Sequence, residues 1–310
     1  MLPVLKQTVA RVTYPTGNKA FSVFQAFPAG VSAEEADPFL MCDHFGPTVS
    51  QGKVDDPDSF PVGWHPHRGQ SLLTYMSRGS VRHGDSMGNR ECFPAPAIQW
   101  CNAGSGIEHA EGGGTEAGQI DEGFQIWVNM PSKDKMKDPE YGTHAGDELP
   151  LIERDGWSVR VIAGEFAGLS SPFKSAVPIQ ILHLTVSASQ TAEFDISTDC
   201  DNSIAYVASG SGSVNGAAVD LRATLRFDAT DPNARTMKIA GGADGIGVLL
   251  FSGKKLNQPI AWRGPIVMTT NAEVRTAFEE LQAGTFLKKR AAWDFYSSYA
   301  NPANHEKDEL

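Results

Sequence analysis

Frequent turning constrains this chain more than any other feature of its sequence. Residues 20–26 (AFSVFQA), 70–77, 97–101 (AIQWC), 123–129 (GFQIWVN), 158–162, 178–187 (PIQILHLTVS), 203–208, 222–228 and 246–251 are short and mostly alternate apolar with polar side chains. That period of two is the signature of strands with one buried face. Glycine (31) and proline (19) punctuate them throughout, with Asn and Asp beside them. Many short strands between tight turns cannot build a helical bundle or a doubly wound fold; they predict β-sandwiches or β-barrels.

A chain of 310 residues is long for one hydrophobic core, so two domains are expected. The polar stretch PSKDKMKDPEYGTHAGDELP (131–150) has strand-like segments on both sides. The expected division is therefore 1–134, a linker at 135–150, a second β-domain at 151–290 and a tail at 291–310. One helix is legible near the end. Thr270 and Glu273 form a capping box, Val274, Ala277, Phe278 and Leu281 make one apolar stripe, and Gly284 supplies the stop. The stripe should pack on a sheet.

Composition excludes several classes. With 41% hydrophobic and 20% charged residues the chain is not disordered. Its formal charge of −11 opposes contact with nucleic acid or anionic lipid, and the short basic run LKKR (287–290) reads as a solvated helix face. There is no apolar run of about 18 residues to span a membrane. The N-terminus MLPVLKQTVARV has no apolar leader core, and the four cysteines form no CxxC pair. Free thiols in a reducing compartment, the cytoplasm, are the simplest expectation. The terminal KDEL (307–310) reads as a polar tail, since no signal for entry into the secretory route precedes it.

Three of the eight histidines lie in GWHPHRGQSLLTYMSRGSVRHGD (63–85). In an extended strand residues i and i+2 share a face, so His65 and His67 project together. Pro66 disfavours a helical conformation at His65. The segment GIEHAEGGG repeats this spacing with His109 and Glu111, and alternation turns Glu108 away. Three imidazoles and one carboxylate suit a first-row divalent metal, and four such ligands leave two octahedral positions open. The donor types do not choose among Fe, Mn, Ni, Cu and Zn. Histidines at this spacing also serve as ordinary hydrogen-bonding groups.

The stretches DPFLMCDHFGP (37–47), HPHRG (65–69), QWCNAGSGIEHAE (99–111), GFQIWVNMP (123–131), VRVIAGE (159–165) and PIVMTTNAEVRTAFEELQAGTF (265–286) resemble the pirin family of the cupin superfamily. The resemblance covers most of the chain. It implies an all-β bicupin, two tandem cupin-type barrels with a short C-terminal helical segment. The N-terminal domain would hold non-haem Fe(II) on His65, His67, His109 and Glu111, and the C-terminal one would be metal-free. The chain departs from the family's pattern at Gln70, Ser71 and Leu72 after HPHRG, at Ser105 and at Gly112–Gly114. These changes touch the pocket wall and remove no ligand.

The resemblance also implies quercetin 2,3-dioxygenase activity, with a flavonol-like molecule and O2 as substrates. Glu111 would then be the proton acceptor, and His83, which matches a family histidine, would orient substrate or pass a proton. The alternative it implies is a redox-sensitive regulator, with iron as sensor and a transcription factor or metabolic enzyme as protein partner; a eukaryotic source would then allow a nuclear location. A monomer is expected in either case. Trp64, Trp100 and Trp127 are expected to fill the first barrel or line its mouth. Arg68 would pair with a carboxylate or lie at the surface, and Cys101 would be a buried thiol or face the pocket.

Overall fold

The computed structural model describes residues 1–15, 22–53 and 60–291. The terminal KDEL and all of the expected tail except Ala291 lie outside the described residues, as does the start of the expected strand at 20–26. The architecture is the expected all-β bicupin, two cupin domains with one short C-terminal helix.

The two compact units are not the contiguous halves expected from the sequence. One combines Met1–His44 with Gly146–Asn257; the other combines Phe45–Ala145 with the chain from Gln258 onward. Nor is 135–150 a linker: Glu140–Ala145 is a strand paired with Ala97–Asn102, and Lys135 is buried. The reason is backbone pairing. A strand satisfies its N–H and C=O groups wherever a free edge lies, and local residue patterns carry no address for that edge. Val4–Val9 finds its partner in Ala223–Asp228.

In the first unit one antiparallel sheet runs in the order Val4–Val9, Ala223–Asp228, Asn202–Val214, Thr236–Gly253, Ile179–Val186, Trp157–Ala163, Leu151–Arg154. Alternation puts every second residue on one face, and the cross-strand rows of that face are aliphatic. Val161, Leu182, Leu250, Ala205 and Leu225 stand side by side, and so do Val159, Leu184, Val248 and Val207. All belong to one buried cluster that includes Phe194 and Met237.

In the second unit, Val62–His67, Ile107–Glu111, Ser80–Asp85 and Arg90–Pro94 form one sheet in that order. Glu140–Ala145, Ala97–Asn102, Gln70–Arg78 and Ile120–Asn129 form the core of another. The C-terminal segment returns here as a ribbon, Ala261–Arg263 with Ile266–Met268, followed by the helix Asn271–Gln282. The helix carries the expected capping box between Thr270 and Glu273. Val274 and Ala277 bury against Ala261, Ile266, Met268 and Phe286, with Phe278 and Leu281 at the margin. Leu287–Arg290 is not the helix face expected for LKKR. It follows the helix, and Lys288 and Lys289 pair with Glu280 and Asp138.

Buried polar contacts bind this returning segment to the unit. Arg68, 1% exposed, donates from Nη2 to Glu280 (2.6 Å) and to the Phe286 carbonyl (2.9 Å), and from Nε to the Ser105 carbonyl (2.7 Å). Its guanidinium lies 4.2 Å from the Phe286 ring centroid. The Lys135 ammonium donates to Asn129 Oδ1 (2.6 Å) and to the carbonyls of Gly69 (2.7 Å) and Val267 (3.1 Å), and burial lowers its pKa to about 8. Gly69 has φ +85°, and a Cβ there would collide with the Val267 carbonyl. Only glycine combines that conformation with so close an approach.

Candidate metal centre

The four-stranded sheet of the second unit sets the geometry. His109 is the cross-strand neighbour of His65 on one side and of Asp85 on the other; Glu111 is the neighbour of His83. By alternation His67, His83 and Glu111 join His65, His109 and Asp85 on one face. His65 lies near His67, and His109 near Glu111. A bulge interrupts the register: His109 pairs with His65, but Glu111 pairs with Val62, so one extra residue of the Val62–His67 strand intervenes. Such a bulge re-aims the side chains around it.

The four expected ligands are accordingly divided between two groups. His65, His67 and His109 each present a donor atom within 4.8 Å of the others. Their ring centroids are 4.4–4.9 Å apart. Glu111 instead groups with His83 and His109, again within 4.8 Å. Glu108 is buried but belongs to neither group.

The imidazoles fit a cation. His65 Nδ1 lies 2.8 Å from the Gly63 carbonyl and donates to it, which leaves Nε2 as a lone pair. That atom faces His109 Nε2 at 3.0 Å, while His109 Nδ1 is buried with no hydrogen-bond partner. A buried imidazole with one ring nitrogen unpartnered is costly, and a cation bound by these rings would relieve that cost. His67 hydrogen-bonds the Pro265 carbonyl, which also accepts from Gln70 Nε2 at 2.8 Å. His67 Nδ1 itself lies 3.0 Å from Gln70 Nε2, so Gln70 ties the ring to the returning ribbon. Burial, and then the neighbouring imidazoles, hold the pKa values of His67 and His109 well below the ordinary histidine value. The neutral, ligating form is thereby favoured.

Several neighbours were not legible as site residues. Gln125 Nε2 donates to Glu111 Oε1 at 2.8 Å, and Thr74 Oγ1 donates to Gln125 Oε1 at 3.2 Å, which fixes the amide's orientation. Asp85 Oδ2 accepts from His83 Nε2 at 3.1 Å. Tyr141 stacks on His83 with centroids 4.8 Å apart. Asp85 could have been found, because it stands at i+2 from His83. Nothing in the sequence connects Pro265 with His67 or Tyr141 with His83. Of the expected aromatic lining, Trp127 meets His67 edge-on at 5.1 Å, and Trp262 of the returning ribbon lies 5.7 Å from Trp127. Trp64 packs on Phe60 instead. Cys101 is buried, and burial pushes its pKa well up, as for an inert thiol.

Fold and site together define a two-domain cupin with a histidine-rich centre in one barrel. The chain belongs to the pirin family: the family model "Pirin" matches residues 20–128, and "Pirin C-terminal cupin domain" matches 181–287. A pirin-like protein of Solanum lycopersicum is 31% identical over 264 residues, covering 81% of this chain and 82% of the relative. A Thermoplasma acidophilum protein named as a candidate quercetin 2,3-dioxygenase is 33% identical over 261 residues, 78% of this chain and 97% of its own. Among solved structures, a quercetin 2,3-dioxygenase from Acinetobacter baumannii superposes with a TM-score of 0.81 at 24% identity, over 92% of this chain and 98% of its own. Among the described residues no helix is long and apolar enough to cross a membrane.

Proposed function

We propose that this chain is a metal-dependent dioxygenase acting on a flavonol-like small molecule. Its ion is iron(II), held by His65, His67 and His109 with Glu111 completing the set, and the first unit is metal-free. One observation carries the reading: three imidazole donors within 4.8 Å of one another, two of them kept neutral by burial, stand beside a positioned carboxylate. The names of the Thermoplasma and Acinetobacter relatives support the substrate class.

A bound divalent iron supplies Lewis acidity toward a phenolic hydroxyl and a redox partner for dioxygen. The residues do the rest. Gly63 and Pro265 hold the His65 and His67 rings through their carbonyls. Trp127 and Trp262 give the site an aromatic wall suited to a planar ring. Glu111 takes the hydroxyl proton of the substrate on the carboxylate oxygen that Gln125 leaves free. His83 orients substrate, with Nε2 committed to Asp85.

The test is anaerobic reconstitution with iron(II) followed by quercetin and oxygen. Stoichiometric oxygen uptake with release of carbon monoxide is expected, and Glu111→Gln should abolish it while iron stays bound. An iron-loaded sample that consumes no oxygen with any flavonol would overturn the proposal.

A further inference from the structure

The cavity offers more donors than an ion on the three imidazoles requires. His83, His109 and Glu111 form a second triad with donor atoms within 4.8 Å of one another. They come from adjacent antiparallel strands, with Glu111 directly across from His83.

Each member is held from behind. Asp85 accepts at Oδ1 from the backbone N–H groups of Met87 (2.9 Å) and Asn89 (3.0 Å), and at Oδ2 from the Asn89 side-chain amide (2.8 Å). Its Oδ2 also lies 3.1 Å from His83 Nε2, which makes that nitrogen the N–H donor. His83 Nδ1 is then a lone pair. It is buried, on a residue 1% exposed, and has no hydrogen-bond partner. Tyr141, stacked on the ring at 23°, restrains its rotation. Gln125 binds one oxygen of Glu111 and leaves the other available.

We propose that His83, His109 and Glu111 form a second divalent-cation position with His83 Nδ1 as a direct ligand, an alternative to the three-imidazole position with which it shares His109. The proposal rests on the reading that this cavity binds a divalent ion. Two histidines and one carboxylate on one face are the donor set of mononuclear non-haem iron(II) sites with exchangeable positions. The Asp85–His83 contact is the carboxylate–histidine pairing that fixes the tautomer of a ligating imidazole. Charge suits a cation here as well, since Glu111 stands within the triad and Asp85 lies behind His83. Because His109 and Glu111 serve either position, one ion occupies one or the other.

Titration of the full-length chain with cobalt(II), followed by calorimetry and by visible absorption, tests this. The wild type should bind one equivalent. The His65→Gln/His67→Gln double variant should still bind one equivalent, weakened by no more than about a hundredfold. Adding His83→Gln should cost a further hundredfold or more. Adding Asp85→Asn instead should cost about tenfold to a hundredfold, as loss of an outer-shell partner does. If the wild type binds no cobalt, the metal reading itself falls. If the wild type binds and the double variant does not, or if His83→Gln changes nothing in the double variant, the second position does not exist. Should the double variant lose its native circular dichroism, wild-type crystals soaked in excess cobalt decide. Anomalous density between His83 and Glu111 supports the proposal; a peak confined to His65, His67 and His109 overturns it.

Discussion

In the first unit the cross-strand row Val161, Leu182, Leu250, Ala205 and Leu225 is aliphatic throughout, while in the second unit the row His65, His109 and Asp85 is polar throughout. So is the row Gln99, Thr74 and Gln125 on the second unit's other sheet. Both units are antiparallel β-structures of the same superfamily. An aliphatic row needs no specific partner: its burial contributes about 25 cal/mol per Å² removed from water. A polar row must have every member hydrogen-bonded or ligated, or it costs more than it contributes. The second unit therefore relies on particular contacts, among them Arg68 on Glu280, Lys135 on Val267 and Gln70 on Pro265. One fold thus carries an aliphatic interior in one unit and a polar, donor-rich one in the other.

A crossed pair of substitutions tests that contrast most sharply. Leu184→Ala in the aliphatic row should cost about 2–5 kcal/mol by chemical denaturation and leave metal affinity unchanged. His109→Ala should weaken cobalt binding by more than the roughly hundredfold cost of an outer-shell loss with little effect on the metal-free chain's stability. If both variants lose mainly stability, the polar row is structural. Next, Arg68→Ala should destabilise by about 3 kcal/mol, because it removes a buried guanidinium and leaves the Ser105 and Phe286 carbonyls without its donors. Hydrogen exchange should report the loss first at Ile266–Met268, and uniform exchange across both units would contradict the localisation.

The units should also respond to acid with opposite sign. In the first, burial raises the Asp43 carboxyl to about 6, although Gln25 donates to it at 3.1 Å. Folding then binds a proton between the unfolded value of 3.8 and about 6. This group's contribution improves as pH falls through that window and is a cost above it. Asp43→Asn should therefore stabilise the chain by about 2 kcal/mol at neutral pH, with no gain left near pH 4. In the second unit the depressed His67 and His109 take up protons in the unfolded state first. The metal-free unit should lose stability as pH drops below the unfolded value of 6.5, by up to about 1.4 kcal/mol per pH unit for each group. His67→Gln should shallow that slope. An unchanged slope would mean that His67 titrates alike folded and unfolded.

The sequence by itself determined what depends on near neighbours. Alternation set the strands and put His65 with His67 and His109 with Glu111 on common faces; the Thr270–Glu273 box started the helix; Gly284, at φ +68°, ended it. Spacings of two, three and four residues are physical distances in regular structure, so they can be read directly. Tertiary structure alone decided which strands form which unit, that the returning ribbon meets His67 through Pro265, and that Gln125 and Thr74 hold Glu111. It also decided, through one bulged residue beside His109, that Glu111 stands with His83 apart from His65 and His67. These outcomes depend on which distant backbone edges pair and in what register, and a strand's own residues do not encode its partner.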